Sequence, residues 1–277
     1  MAAKSKPRPG REPDEGIGPT RVIQAARLLL NARGDFRQIT GFPEECRPLN
    51  MDDAYLIQKT FAEEWELPVV GYKIGCTARD QQRMLKVKEP FYARLFSPFV
   101  KDSPAEFSAG AFHQLGLESE FAFRLKRAIK PRTNGYTREE VERAVGTMHP
   151  AIEVVDTRLD DWLTRGAPSI VADNGANGAL IVGEAVKDWR KLDLAKMLVV
   201  LKIDGKRIAG GTGVRVLGHP LESLTWLVNK LSATGITLER DQIVTTGTVT
   251  GLNFARPGST GVAKFGKIGE VQITFTG

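Results

Sequence analysis

Residues 116–123 read Gly-Leu-Glu-Ser-Glu-Phe-Ala-Phe, and this stretch does most to decide the fold. Its leucine and two phenylalanines recur at a period of two, which is typical of a β-strand with one face in a core. Glu118 and Glu120 then project together from the opposite face. Two carboxylates held so close repel each other unless a cation or a shared proton lies between them.

A third acid, Glu153, lies in a second strand-like run, residues 151–155, which read Ala-Ile-Glu-Val-Val. A charged strand face is most often solvated, and that alternative applies to any isolated Glu-x-Glu pair. The apolar neighbours of these acids instead favour burial, where an unpaired carboxylate costs free energy. We therefore expect a cation beside them: a metal ion, Lys73 or an arginine. Three carboxylates with no histidine or cysteine at ligand spacing suit a hard ion such as Mg²⁺.

Composition and charge narrow the class of protein. The chain has 277 residues, of which 42% are hydrophobic and 26% charged, and this is enough apolar material for a sizeable globular core. Its net charge is +6, but the basic residues are spread among 33 acids and form no block with interleaved aromatics. We therefore expect no nucleic-acid partner, and a small anionic substrate fits the charge at least as well.

The N-terminus and the cysteines indicate the cellular compartment in which the protein is expected to work. Residues 1–18 are charged and lack the apolar segment of a secretory signal, so they predict a disordered tail. No apolar run reaches the roughly 18 residues that a membrane helix needs, so we expect no membrane association. Cys46 and Cys76 match neither a disulfide framework nor a zinc site. A cytoplasmic protein is the simplest expectation.

Periodicity and turn residues predict an α+β protein with helices first and strands after them. The predicted helices cover residues 19–33, 51–66, 78–86, 137–148 and 220–233. The predicted strands cover residues 69–75, 116–123, 151–155 and 269–275, with a hairpin at 198–203 and 206–209. Residues 171–178 have the composition of a polar turn. We expect a smaller helical α/β part at 19–100 and a β-rich, metal-binding catalytic body at 101–277.

Three further positions have both a structural and a functional interpretation. Lys73, between glycines in Gly-Tyr-Lys-Ile-Gly, is either a surface lysine on an edge strand or a lysine held near an anionic substrate. His113 precedes Glu118 by five residues and is a candidate for the same pocket. Residues 245–248, Thr-Thr-Gly-Thr, are either a strand end or a loop whose backbone N–H groups and hydroxyls face a carboxylate.

Six short motifs, in their order and spacing, resemble the 2-hydroxypenta-2,4-dienoate hydratase and 4-oxalocrotonate decarboxylase group of the fumarylacetoacetate hydrolase superfamily. They lie at residues 53–58, 71–77, 118–123, 151–158, 172–174 and 245–248. The resemblance covers residues 20–277 and implies a mixed β-roll body with a divalent metal at its mouth, in a homo-oligomer. It implies hydration of a 2-hydroxydienoate in aromatic catabolism, with a short 2-oxo or 2-enol acid as the substrate.

The resemblance also assigns roles to residues. Glu118, Glu120 and Glu153 match the ligands of Mg²⁺ or Mn²⁺, and Lys73 matches the active-site lysine. Thr246 and Thr248 are candidate contacts of the substrate carboxylate. One departure matters: where the group often has an acid that handles a proton or water, this chain has Pro98. This departure leaves room for a different 2-oxo acid substrate, or for a proton relay made by His113 or Asp173.

The same motifs leave other activities open. A decarboxylase of a 2-oxo dioic acid needs a second basic group, for which Arg94 and Arg158 are candidates. A C–C hydrolase of an acylpyruvate needs a base, and His113 is the histidine nearest the paired glutamates in sequence. Outside enzymes, a metal- or ligand-binding protein with an altered site is supported by Pro98. Retention of three glutamates and Lys73 argues against that last alternative, because an inactive site would still bear their desolvation cost.

Overall fold

The computed structural model describes residues 16–277, so residues 1–15 of the predicted tail lie outside the described part of the chain. The helices are α1 Pro19–Gly34, α2 Met51–Trp65, α3 Arg79–Leu85, α4 Arg138–Ala144, α5 Ala167–Ala172 and α6 Pro220–Ala233. The strands are β1 Val69–Gly75, β2 Phe91–Phe96, β3 Val100–Asp102, β4 Ala105–Ser108, β5 Gly116–Leu125, β6 Val145–Val155, β7 Asn177–Val182, β8 Leu198–Ile203, β9 Lys206–Thr212, β10 Ile243–Thr248, β11 Asn253–Phe254, β12 Thr260–Phe265 and β13 Gly269–Thr276.

The strands form two mixed sheets. The larger sheet has eight strands in the order β2-β1-β10-β5-β6-β7-β3, with β11 added beside β5. The smaller sheet has five strands in the order β4-β13-β12-β8-β9. Phe121 of the larger sheet packs edge-on against Phe265 of the smaller sheet, with ring centroids 5.3 Å apart, and both are fully buried. The predicted α+β class is confirmed.

The first two helices are fixed by local signals that the sequence carries. The side chain of Asn50 accepts a hydrogen bond from the backbone N–H of Asp53, which caps the start of α2. The buried carboxylate of Asp53 accepts in turn from the backbone N–H groups of Ile17 and Leu49, both at 3.0 Å. This carboxylate therefore fastens the chain before α1 and the loop before α2 to the same point.

Strands from the first hundred residues belong to the same sheet as the strands that follow. β1 pairs in parallel with β10, at Lys73 opposite Thr245, and in antiparallel fashion with β2. α2 is tied to this edge by Gln58, whose amide donates to the carbonyls of Tyr92 and Val171. The division at residue 100 stays a prediction.

Two local predictions were wrong. The helix predicted for residues 137–148 begins as expected at the Thr137 cap but ends at Ala144, because the next residues pair with β5, with Met148 opposite Phe123. The turn predicted for residues 171–178 contains the end of α5 and the start of β7. In both places, pairing and packing with distant segments outweigh local propensity.

Other predicted elements are confirmed, among them the paired-glutamate strand, the 198–209 hairpin and the 220–233 helix. His219 caps that last helix, since its Nδ1 accepts from the backbone N–H of Leu221 at 3.0 Å. Within residues 16–277, none of the helices combines the length and the apolar character needed to cross a bilayer.

Candidate metal centre and active site

The three glutamates predicted as ligands meet on one face of the larger sheet. Glu118 on β5 lies directly opposite Glu153 on β6 in the antiparallel register, and Glu120 follows two residues along β5 on the same face. One carboxylate oxygen from each lies within 4.8 Å of the others. Direct opposition of like charges destabilises a sheet, so this register demands a compensating charge.

Burial and mutual repulsion shift the protonation of this cluster. Glu120 is 1% exposed and Glu153 is fully buried, whereas Glu118 is 9% exposed. Burial, and then the charge of Glu153, raises the pKa of Glu118 to about 7. Burial and the two neighbouring carboxylates also raise the pKa of Glu120 well above its ordinary value. These carboxyls therefore hold protons more tightly than free glutamates unless a cation replaces the protons.

Lys73 is the cation that the structure places beside the glutamates. Its Nζ lies 3.1 Å from Glu153 Oε1 and donates to the backbone carbonyl of Gly175 at 3.1 Å. Burial alone lowers the pKa of Lys73, but the charges of the three glutamates outweigh burial and the pKa lies above its usual range. Lys73 is thus a buried ammonium held in place by two acceptors.

The residues fit a divalent cation. Gly247 N–H donates to Glu120 Oε2 at 2.8 Å, and Asn177 Nδ2 donates to Glu153 Oε1 at 2.9 Å, so each carboxylate is oriented through one oxygen. The other oxygens, Glu120 Oε1 and Glu153 Oε2, are buried and accept no hydrogen bond. When all three carboxyls are ionised, the glutamates and the Lys73 ammonium carry a net charge of −2. All-oxygen ligands with this excess suit Mg²⁺, Mn²⁺ or Ca²⁺.

A small cavity of about 240 Å³ opens beside the cluster, and Lys73 and Glu118 are among the residues that line it. Cys76 lines the cavity, but burial raises the pKa of its thiol to about 12, so it stays protonated at neutral pH. The remaining lining is mostly apolar and comes from α3, the 162–170 segment and single residues of other elements, namely Gly75, Phe91, Val155, Gly175 and Leu252. The cavity is smaller than drug-sized ligand pockets and fits a small molecule.

The two threonines predicted to contact substrate differ in whether their hydroxyls already have a hydrogen-bond partner. The hydroxyl of Thr246 donates to the backbone carbonyl of Phe121 at 3.0 Å, so it is used within the sheet. The hydroxyl of Thr248 is buried without a partner and lies on the residue paired with Glu120. The Thr248 hydroxyl can therefore form a hydrogen bond with a ligand, whereas the Thr246 hydroxyl would first have to give up its bond to the Phe121 carbonyl.

Asp173 and Arg158 lie in a different buried network. Asp173 Oδ1 accepts from Arg33 at 3.0 Å, while its Oδ2 accepts from the Thr157 hydroxyl at 2.6 Å and from the Arg158 backbone N–H at 2.7 Å. The guanidinium of Arg158 pairs with Asp156. These contacts join α1, β6 and the end of α5, and none of them involves the glutamate cluster.

His113 and Arg94 also have other partners. The His113 ring stacks on Phe36 with centroids 4.4 Å apart, and burial lowers its pKa. Arg94 is 8% exposed and donates to the side chain of Gln58 at 2.7 Å. Neither side chain is among those that line the cavity. Pro98, at the position where an acid was expected, is exposed and lies outside that lining.

Two contributors to the site, the Asn177 amide and the Gly175 carbonyl, lie in residues 173–178, for which a turn was predicted. The Gly247 N–H that donates to Glu120 matches the loop alternative for residues 245–248. The hydroxyl of Thr77 is buried and unpartnered. Gly247 adopts a φ of +103°, and a Cβ there would lie 2.1 Å from Thr77 Oγ1. Only glycine fits this turn, and the turn aims the N–H at Glu120.

Comparisons with known proteins place the chain in a family. Residues 72–276 match the model of the fumarylacetoacetate hydrolase C-terminal family. The 2-hydroxyhexa-2,4-dienoate hydratase of Comamonas testosteroni is 32% identical over 253 residues, covering 90% of this chain and 95% of the relative. The 2-keto-4-pentenoate hydratase of Paraburkholderia xenovorans strain LB400 is 29% identical over 260 residues, covering 93% and 96%.

A solved structure agrees with these relatives. The 4-oxalocrotonate decarboxylase from Pseudomonas putida G7, complexed with magnesium and adipate, superposes with a TM-score of 0.84 at 25% identity, covering 93% of this chain and 98% of that one. A second structure of that enzyme contains calcium and acetate and has a TM-score of 0.83. The chain belongs to the fumarylacetoacetate hydrolase family, within the branch of the 2-keto-4-pentenoate hydratases and 4-oxalocrotonate decarboxylase.

Proposed function

We propose that the protein is a divalent-metal-dependent lyase that adds water to a 2-hydroxy-2,4-dienoate, a small 2-enol acid. The observation that carries this proposal is the buried cluster of Glu118, Glu120 and Glu153. It pairs with Lys73 through Glu153 and reaches a small cavity through Glu118. The hydratases among its relatives support the reaction type.

Glu118, Glu120 and Glu153 would hold Mg²⁺ or Mn²⁺. When bound, the ion would supply positive charge to a substrate carboxylate and C2 oxygen, where negative charge develops during the reaction. The orienting bonds from Gly247 and Asn177 keep two of the carboxylates in place before the ion arrives. Such partners fix ligand geometry and thereby raise metal affinity.

The reaction needs two proton movements and one addition of water. The C2 hydroxyl of the dienol loses its proton and C5 gains one, which gives a 2-oxo acid with a C3–C4 double bond. Water then adds its oxygen to C4 while C3 takes up a proton, so the product is a 4-hydroxy-2-oxo acid. The atoms balance with water as the other reactant.

Lys73 is the chain's own group for this chemistry. It lines the cavity next to Glu118, and Glu153 with the Gly175 carbonyl fixes its ammonium. An ammonium in this position either delivers a proton to the substrate or holds the substrate carboxylate. Thr248 supports the second task, because its hydroxyl is buried and unpartnered. His113 and Asp173 stay candidates for a relay, although each is engaged elsewhere.

Decarboxylation of a 2-oxo dioic acid is the second candidate. It is supported by the similarity, at a TM-score of 0.84, to a decarboxylase structure. Loss of CO₂ from a vinylogous position produces the same kind of enolate that ketonisation consumes, so one set of carboxylates and one lysine serve both reactions. A C–C hydrolase and a non-catalytic binding protein remain the weaker alternatives.

The deciding experiment is a turnover assay read by mass spectrometry, with Mg²⁺ in one arm and EDTA in the other. The panel contains 2-hydroxypenta-2,4-dienoate, 2-oxohex-3-enedioate and acetylpyruvate. A product heavier by one water, formed only with Mg²⁺, supports the hydratase; loss of CO₂ supports the decarboxylase. Cleavage of acetylpyruvate would indicate the hydrolase. No turnover with metal bound would favour the binding protein.

The assembly and location are further parts of this proposal. The family resemblance implies a homo-oligomer built on a β-roll body, and the two separated cysteines favour the cytoplasm. Light scattering coupled to size-exclusion chromatography tests the assembly directly, and a monomer at micromolar concentration would contradict it.

A further inference from the structure

We propose that the substrate carries a single carboxylate and that its far end, remote from the glutamate cluster, is an uncharged hydrocarbon group. This inference rests on the proposed function and names the substrate class within it. The residues that would select the tail are Met84, Leu85, Trp162, Leu163, Ile170 and Leu252. Dioic acids would then be poor substrates.

The distribution of charge in the cavity is the first observation. Among the lining residues, the charged side chains are Lys73 and Glu118, and both belong to the glutamate cluster. The other lining side chains are apolar apart from Gln81 and Cys76, and the Cys76 thiol stays protonated. A second carboxylate placed there would lose its hydration without gaining a cation, which is costly.

The two arginines predicted to bind a second carboxylate already have other partners. Arg94 donates to Gln58 at 2.7 Å. Arg158 pairs with Asp156, and its guanidinium lies over the ring of Phe36. Basic side chains do line a separate cavity of about 630 Å³ that includes Arg79, Lys88 and Arg215, but none of the three glutamates lines it. Binding of a dioic acid across both cavities is the competing arrangement.

Exposed apolar side chains at the cavity are the second observation. Met84 is 58% exposed and Leu163 is 47% exposed, and they come from α3 and from the segment after β6. α3 contains no fully buried residue; its Leu85 packs partly on a hydrophobic core, whereas Met84 packs on none of the core clusters in the described residues. Large apolar groups from two distant segments that converge on one opening indicate an apolar ligand surface.

Trp162 is a lining residue of the cavity whose side chain is held in position by a hydrogen bond. Its indole N–H donates to the side chain of Gln114 at 3.2 Å, which leaves the ring against the cavity. A fixed aromatic ring and flexible methionine and leucine side chains in the same lining accept hydrocarbon tails of different shape. The cavity of about 240 Å³ limits such a tail to a few carbons or one ring.

The test compares kcat/KM of the Mg²⁺-loaded protein for 2-hydroxy-2,4-dienoates that differ only at the far end: hydrogen, methyl, propyl, phenyl or carboxylate. We expect at least one of the methyl, propyl and phenyl compounds to exceed the carboxylate compound by about 10-fold or more. An equal or higher value for the carboxylate compound, with turnover established, overturns this inference and leaves the proposed lyase function intact. No turnover of any member overturns both.

A positive charge introduced into the apolar lining of the cavity makes the test more specific. Leu163→Lys is expected to reverse the preference by about 10-fold or more towards the carboxylate compound, because it supplies the missing cation. Met84→Lys gives a second, independent variant on another element. Ile208→Lys is the matched control, since Ile208 is 49% exposed on β9 and does not line the cavity. An unchanged preference in both cavity variants, or the same change in the control, contradicts the proposal.

Discussion

Two buried acidic clusters lie close together in the sequence, and they differ in charge balance. The glutamate cluster comprises Glu118, Glu120, Glu153 and Lys73, with three acids and one base. The aspartate cluster comprises Asp156, Asp173, Arg33 and Arg158, with two acids and two bases. Burial is equally deep in both, so burial alone does not identify a metal site.

Hydrogen bonding shows the same contrast. In the aspartate cluster every carboxylate oxygen accepts at least one hydrogen bond; Asp156 Oδ1, for example, accepts from the backbone N–H groups of His113 and Gln114. In the glutamate cluster, Glu120 Oε1 and Glu153 Oε2 accept none. The Nε atoms of Arg33 and Arg158 lack partners, so the contrast holds for the carboxylates alone. Fully paired carboxylates are typical of a structural network, and unpaired carboxylate oxygens with excess negative charge indicate a place for a cation.

Neutralising one ligand tests the glutamate cluster and has the largest expected effect. Glu118→Gln, Glu120→Gln and Glu153→Gln should each abolish turnover and weaken Mg²⁺ binding by more than about 100-fold, which exceeds the loss expected for a group that only orients a ligand. Isothermal titration calorimetry measures the affinity. If all three variants bound Mg²⁺ as tightly as the parent, the glutamate cluster would not be the metal site.

Lys73→Ala should reduce kcat by about 10²–10⁴-fold while the protein keeps its fold, because the cavity then lacks its ammonium. Lys73→Arg separates the two possible roles: it should restore KM if the ammonium only holds a carboxylate, but should leave kcat low if a proton is transferred. Circular dichroism checks the fold. Lys59→Ala, a 55% exposed lysine side chain paired with Glu63, is the control. Full activity of Lys73→Ala would exclude Lys73 from the mechanism.

The aspartate cluster should respond in stability rather than in metal affinity. Asp173→Asn leaves Arg33 and Arg158 short of a counter-charge and should lower the free energy of unfolding by about 3–5 kcal/mol. Urea denaturation measures the loss. Mg²⁺ affinity of the folded variant should stay within a few-fold of the parent, and a loss as large as that of the glutamate variants would contradict the distinction between the clusters.

A smaller effect is expected where a residue orients a ligand without binding the ion. Asn177→Ala removes the amide that donates to Glu153 Oε1 at 2.9 Å, so Mg²⁺ affinity should fall by about 10–100-fold. Asn177→Asp would add a fourth acid and serves as a contrasting variant. Unchanged affinity in Asn177→Ala would show that the sheet alone orients Glu153.

The pH dependence of the metal effect is the smallest and most graded prediction. Glu118 and Glu120 have raised pKa values in the fold, so their contribution to metal-free stability is full below the ordinary glutamate range. The contribution of Glu118 is lost as pH rises through about 7, and that of Glu120 as pH rises through its own raised pKa. Bound Mg²⁺ displaces those protons and offsets the loss.

The gap in Tm between Mg²⁺ and EDTA should therefore widen from pH 5 to pH 8. The underlying free energy of Mg²⁺ binding becomes more favourable by up to roughly 1.4 kcal/mol per pH unit for each proton released. Lys73 has a raised pKa and loses its contribution only at higher pH, outside this window. Differential scanning fluorimetry follows the gap. A gap that stays constant with pH would mean that the glutamates are already ionised without metal.

Sequence periodicity and motif spacing determined much of this protein. The alternation in residues 116–123 placed Glu118 and Glu120 on one face, and the apolar run around Glu153 predicted its burial, as the structure shows. Caps at Asn50 and Thr137 fixed two helix starts for the same reason: the signals lie within a few residues of one another. Local patterns of this kind need no knowledge of distant partners.

The tertiary structure alone decided which charged groups meet. The register of β5 and β6 sets Glu118 opposite Glu153, 35 positions along the chain, and the path of the 173–177 loop brings the Gly175 carbonyl to Lys73 and the Asn177 amide to Glu153. The same packing takes Arg158 and Asp173 into a separate balanced network. Such pairings depend on strand register and loop closure between distant segments, and no local pattern of residues encodes them.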